Sequence, residues 1–101
     1  MATVVHDDFE WDERKAGDNV RKHGITFEEA VTAFFDEHFV ILTDPQEHDD
    51  RFVLLGKSSE FRLLFVVHAQ VVTHGGVERT RLISARRANR SDTKKYKSGG
   101  A

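Results

Sequence analysis

The spacing of apolar and polar residues divides the chain into a helical first part and a strand-rich second part. Phe9-Glu10-Trp11 alternates like a short strand. Asp12 and Glu13 then stand where a helix N-terminus favours negative charge. A helix is predicted from Glu13 to His23, because Arg21, Lys22 and His23 crowd its last turn and Gly24 follows as a stop. Thr26-Phe27-Glu28-Glu29 has the form of a capping box. It opens a second helix whose Phe27, Ala30, Val31, Phe34 and Phe35 make one apolar stripe, broken at Asp36-Glu37-His38. Two helices joined by about two residues pack as a hairpin. Beyond them the period is that of strands: Phe39 to Thr43, ended by the Asp44-Pro45 turn and a polar loop from Gln46 to Asp50. Arg51 to Lys57 and Phe61 to His68 follow as a hairpin about Ser58-Ser59-Glu60, and Val77 to Ala85 as a strand after the Gly75-Gly76 turn. A closing basic helix is expected from Arg86 to Tyr96. The order β-α-α-β-β-β-β-α predicts an α+β fold: a mostly antiparallel sheet with an N-terminal helical hairpin on one face and a C-terminal helix.

At 101 residues the chain is expected to form one domain, 1–101, with its core in about 9–96 and a frayed tail over 97–101. Eight phenylalanines fill core volume economically in so short a chain. With no cysteine there is neither a disulfide framework nor a thiolate metal site. The N-terminus turns acidic too early for a signal peptide, and no stretch is long and apolar enough to cross a bilayer. A cytoplasmic location and no membrane partner are the expectation.

The net charge of −2 conceals a strong division. Residues 1–50 hold 14 acidic and 4 basic side chains, whereas residues 51–101 hold 3 acidic and 11 basic ones. A basic half of this kind suits nucleic acid. It equally suits neutralisation by the acidic half across the fold, and charge alone leaves both open.

Catalytic chemistry is narrowed mainly by elimination. None of the six histidines forms an i, i+4 pair or another short ligand spacing beside a carboxylate, so no metal site is expected. No phosphate-cradling glycine loop occurs, so no cofactor is expected, and no serine has a nucleophile-elbow context. Arginine remains. Arg62 shares a strand face with Leu64, Val66 and His68; Arg79 and Arg81 share one with Ile83 and Ala85; Arg86 and Arg87 follow at once. Central strands would bring Arg62 near Arg81. Guanidinium groups bind phosphate oxygens bidentately and stay charged at any working pH, which suits stabilising a phosphorane; they also suit ion pairs with the acidic half. Lys15, Asn19, Lys22 and His23 lie along one helical stripe, either a solvated face or a source of proton transfer at His23, whose side-chain type titrates near neutrality. Trp11 and the phenylalanines are expected in the core.

Several segments together resemble one family. Phe9-Glu10-Trp11-Asp12, Lys15, Asn19 and Lys22-His23-Gly24-Ile25-Thr26-Phe27-Glu28-Glu29-Ala30 are similar to the opening signature of the BrnT toxins. Arg51-Phe52, Leu55-Gly56, Arg62-Leu63-Leu64, Arg81-Leu82-Ile83-Ser84-Ala85-Arg86-Arg87-Ala88 and Tyr96 resemble the remainder. One segment departs: between Asn89 and Tyr96 the only acid is Asp92, where the family carries a glutamate before the tyrosine. The resemblance implies a RelE-like fold and a metal-independent endoribonuclease toxin that stops translation. It implies a BrnA-like ribbon-helix-helix antitoxin as partner, RNA as substrate, and operator DNA bound only through the antitoxin complex, which represses its own operon. Arg62, Arg81, Arg86 and Arg87 would then hold the phosphate, and Lys22 or His23 would assist proton transfer. A non-catalytic nucleic-acid or protein-binding module on the same fold is the alternative.

Overall fold

The computed structural model describes residues 2–46 and 48–100. Among these, six strands and three helices follow in the order β1 (Thr3–His6), β2 (Phe9–Asp12), α1 (Glu13–His23), α2 (Phe27–Ala33), β3 (Val40–Thr43), β4 (Phe52–Lys57), β5 (Leu63–Val72), β6 (Glu78–Arg87) and α3 (Arg90–Lys97). The helix ends follow their chemistry. The Asp12 carboxylate accepts the Arg14 N–H at 2.8 Å, and Gly24, left-handed at φ 69°, donates its N–H to the Val20 carbonyl. Thr26 Oγ1 accepts the Glu29 N–H at 3.0 Å to start α2. That helix stops at Ala33, short of the full apolar stripe, and Asp36 turns the chain by accepting the His38 N–H.

The strands form one sheet in the order β1-β2-β6-β5-β4-β3. All neighbours are antiparallel except β2 and β6, which pair in parallel only through Phe9 with Thr80 and Glu10 with Arg81. Strand β1 adds to the predicted order. β6 runs two residues past its predicted end, so Arg86 and Arg87 lie in the sheet rather than in a helix. α3 begins only after the Asn89 cap, whose side chain accepts the Asp92 N–H while Asp92 accepts the Asn89 N–H. A bulge between β5 and β6 sets Ser84 opposite Val67 and Leu82 opposite His68, leaving Ile83 as the extra residue. It corrects the expected face sharing: Arg81 and Ala85 fall on opposite faces.

Each face of the sheet has its own core. Phe9, Trp11, Leu54, Leu64, Val66, Leu82 and Ala85 pack under the helical hairpin against Ile25, Phe27 and Ala30. Trp11 meets Phe27 edge to face with centroids 5.8 Å apart, an arrangement that adds about 0.5–1.5 kcal/mol to simple burial. Gly56 is required where α2 comes down on β4, since a Cβ there would lie 2.4 Å from the Ala33 carbonyl oxygen. On the opposite face Val40, Val53, Leu55 and Phe65 form a smaller core with Leu42, Val67 and Tyr96 of α3. The Tyr96 hydroxyl donates to Asp36 Oδ2 at 2.6 Å, which also accepts the Lys57 N–H at 2.8 Å. Burial and this carboxylate together push the phenol up to about 12.

His68 is 5% exposed between the rings of Phe34 and Phe52, and burial holds its pKa below the ordinary 6.5. A depressed histidine contributes stability that is present above its unfolded pKa and lost as pH falls toward the folded value. The urea midpoint is therefore expected to drop between pH 7.5 and 5.5. A His68→Phe variant should lose part of that dependence; an unchanged dependence would contradict the assignment.

Candidate active site

The helical hairpin covers one face of the sheet, and α3 covers only part of the other. On that second face a cleft of about 400 Å³ opens between the end of α1, the loop after β3, and strands β4 to β6. His23 comes to it from the last residue of α1, Asp44, Pro45 and Gln46 from the loop, and Arg51 from the residue before β4. Phe65 and Val67 of β5 and Ile83, Ser84 and Arg86 of β6 complete the lining. The bulge at Ile83 puts Ser84 and Arg86 on the same face as Arg79 and Arg81, which regular alternation would place on the opposite one.

One buried side chain holds α1 against the sheet. Asn19, 5% exposed, donates to the Ala85 carbonyl at 2.8 Å and the Ile25 carbonyl at 2.9 Å, and accepts the Ala85 N–H at 3.0 Å. Because β2 pairs with β6 only as far as Glu10 and Arg81, the β6 edge beyond is unpaired by a strand. The Asn19 amide satisfies it as a neighbouring backbone would. That docking carries the C-terminal turn of α1, and with it His23, to the mouth of the cleft. The Lys15-Asn19-His23 stripe thus divides into an exposed lysine, a buried anchor and a cleft residue.

The arginines differ sharply in what holds them. Arg86 lies with its guanidinium carbon 3.8 Å from the Phe65 ring centroid, bonded to Asp92 Oδ2 at 2.9 Å and to the Arg87 carbonyl. Arg81 pairs with Glu10, whose carboxylate also faces Arg79 at 3.7 Å; all three lie farther along the cleft face of the sheet. Arg62 precedes β5 and bonds to Glu29 of α2 with Nε to Oε2 at 2.9 Å and a second contact through Nη2, outside the cleft. Those bonds hold Glu29 below its ordinary pKa against the opposing effect of burial, with Ser58 contributing a hydrogen bond. Arg87 stands opposite Leu64 on the hairpin face, exposed and close enough to Glu29 to favour its charge. Lys22 is exposed beside His23.

Of the six residues singled out from the sequence, His23 and Arg86 line one cleft and Lys22 adjoins it. The expected neighbourhood of Arg62 and Arg81 is corrected by register. Arg81 stands opposite Ala69, while the Ala88 N–H donates to the Leu63 carbonyl, so Arg62 lies about 20 Å farther along the ladder.

Arg51 was part of the family signature without being assigned to the site. It has no carboxylate within 4.0 Å among the described residues, and its charge is felt at Asp44. Asp44, read only as a turn residue, is buried, accepts the Gln46 N–H at 2.9 Å and pairs with His48. The Gln46 N–H, with the His48 contact, holds it below its ordinary pKa despite desolvation. No sequence period marks either residue, because both lie outside regular strands. The cleft thus sets the His23 imidazole beside two guanidinium groups, Arg86 braced by Asp92 and Arg51 with no carboxylate partner among the described residues.

No curated protein has a significant sequence match to this chain. Among solved structures it is similar to the Brucella abortus ribonuclease toxin BrnT, with a TM-score of 0.61 and 24% identity over 79% of this chain and 94% of that one. That likeness shows the fold, including the six-stranded sheet with its three helices. The family model for BrnT, the ribonuclease toxin of type II toxin–antitoxin systems, matches residues 11–92, from the buried Trp11 to the Asp92 that braces Arg86. With more than half its length inside that match, the chain belongs to the BrnT family of ribonuclease toxins of type II toxin–antitoxin systems.

Proposed function

We propose that the chain is a metal-independent endoribonuclease that cuts RNA in the cleft bounded by His23, Arg51, Ser84 and Arg86. The observation that carries this reading is their convergence on the face of the sheet left open by the helices. The ribose 2′-hydroxyl attacks the adjacent phosphorus, giving up its proton, and the 5′-oxygen leaves with a proton gained. His23 or its neighbour Lys22 serves this proton traffic. Arg51 and Arg86 donate to the non-bridging oxygens, whose charge grows in the transition state. Arg81 and Arg79, tied to Glu10, extend the cationic face along the RNA strand, while Arg87 and Arg62 supply general attraction from outside the cleft. Donor chemistry supports metal independence, since guanidinium groups do not ligate cations. Among the described residues no three His, Asp or Glu side chains gather around one point.

The family resemblance carries the rest of the proposal: a BrnA-like ribbon-helix-helix antitoxin masks the toxin, the complex represses its own operon, and free toxin stops translation in the cytoplasm. No helix among the described residues is long and apolar enough to cross a membrane. Purified protein is expected to cleave RNA at an undiminished rate in excess EDTA and to leave a 2′,3′-cyclic phosphate or its hydrolysis product. Activity abolished by EDTA and restored by a divalent cation would overturn the mechanism.

A further inference from the structure

Next to the cleft, along α3, lies a second hollow of about 320 Å³, within the size range of small-ligand pockets. The two share Pro45, Phe65 and Arg86, so they are halves of one groove with the guanidinium of Arg86 on the divide. The floor of the second half is apolar, built by Leu42, Val53 and Phe65 from three neighbouring strands. Its α3 side is polar, with Asp92 and Lys95.

Asp92 is 5% exposed. Its Oδ2 is occupied twice, by Arg86 Nη1 at 2.9 Å and by the Asn89 N–H at 3.0 Å. Its Oδ1 accepts no hydrogen bond from a described residue. No fully buried polar side-chain atom lacks a partner among those residues, so this oxygen keeps some solvent access, and Asp92 lines the hollow. Helix capping and the bracing of Arg86 together account for one carboxylate oxygen and leave the other without a hydrogen-bond donor among the described residues, on a side chain that lines the slot.

A flat apolar body bearing an N–H donor, joined to a phosphate one step away, fits this arrangement. Nucleobases of single-stranded RNA are bound in this manner, stacked on aromatic or guanidinium planes and read along their edges. We propose that the slot holds the base adjoining the scissile phosphate and that Asp92 Oδ1 selects bases carrying an exocyclic amino group. Adenine, cytosine and guanine each present such a donor. Uracil does not, and its N3–H lies between two carbonyl oxygens that the carboxylate repels. This rests on the ribonuclease reading of the adjoining cleft and supplies what that reading leaves open, the base preference.

The test is an NMR titration of the whole protein with the four nucleoside 3′-monophosphates, followed at the methyl groups of Leu42 and Val53. The adenosine, cytidine and guanosine nucleotides should shift these methyls and bind about 3- to 10-fold tighter than the uridine one, the worth of one hydrogen bond. In Asp92→Asn the amide can turn its NH₂ into the slot, and the preference should reverse toward uridine. Equal binding of all four nucleotides, or no response of Leu42 and Val53 to any, would overturn the proposal. The wild-type titration decides even if the variant does not fold. Because the titration uses no cleavage, its failure is separable from failure of the ribonuclease reading, which shows instead as intact RNA.

Discussion

Arg51→Ala is expected to slow RNA cleavage by about 10²- to 10³-fold, the usual effect of removing one preorganised donor from a developing oxyanion. The size of the effect follows from how the cleft cations are held. Arg86 already spends hydrogen bonds on Asp92 and the Arg87 carbonyl and rests on Phe65. Arg51 has no carboxylate within 4.0 Å among the described residues, so its donors face the cleft uncommitted. Its hydrogen bond to the fold among the described residues is made by its backbone, where its N–H donates to the His48 carbonyl at 3.1 Å, and alanine keeps that bond. The melting temperature should therefore change little, as for a surface substitution within about 0.5 kcal/mol. Arg51→Lys should recover only part of the rate, since an ammonium group cannot hold two phosphate oxygens in one plane. Single-turnover cleavage and a thermal melt of the same preparations check both halves. Full activity in the alanine variant would remove Arg51 from the site.

Asn19→Ala should cost the fold about 2–4 kcal/mol, because it strips partners from the Ala85 N–H, the Ala85 carbonyl and the Ile25 carbonyl at once. In a domain of this length that corresponds to a melting temperature lower by roughly 10–20 °C. Asn19→Asp keeps the acceptor for the Ala85 N–H but loses both donated bonds, and should be destabilised as well. Where the variant stays folded, cleavage should fall through the catalytic rate more than through RNA affinity, since α1 carries His23 to the cleft. A melt within about 3 °C of the parent would contradict the anchoring role.

Local chemistry made α1, α2 and their junction readable from residues 12–29, since caps and stops act within a turn: Asp12, Gly24 and Thr26 each make the bond their position implies. The β4–β5 hairpin was equally local. Strand β1 was not readable, because Thr3, Val5 and His6 are exposed and only Val4 turns toward the core, so no alternation marks it. The extent of β6 was hidden by its arginines. A run of Arg86-Arg87 reads as solvated helix until Phe65 and Asp92 are seen to receive Arg86. The bulge at Ile83 has no signature in sequence, yet it decides that Ser84 and Arg86 share a face with Arg81 rather than with Leu82. The acidic half proved to be both counter-charge and scaffold: Glu29 and Glu10 pair with Arg62 and Arg81, while Asn19 and His23 build the cleft from the same segment. Those pairings join residues 33 and 71 positions apart, beyond the reach of any local pattern.

The most direct test of the cleft is to map, by amide and side-chain NMR, where a short RNA with a 2′-O-methyl group at the cleavage position binds the free toxin. Methylation removes the nucleophile and leaves the phosphate. Binding in the cleft should perturb His23, Arg51, Ser84 and Arg86 most strongly and leave Glu29 and Arg62 largely unmoved. Perturbation centred on Glu29 and Arg62, with His23 and Arg51 silent, would contradict the location of the active site.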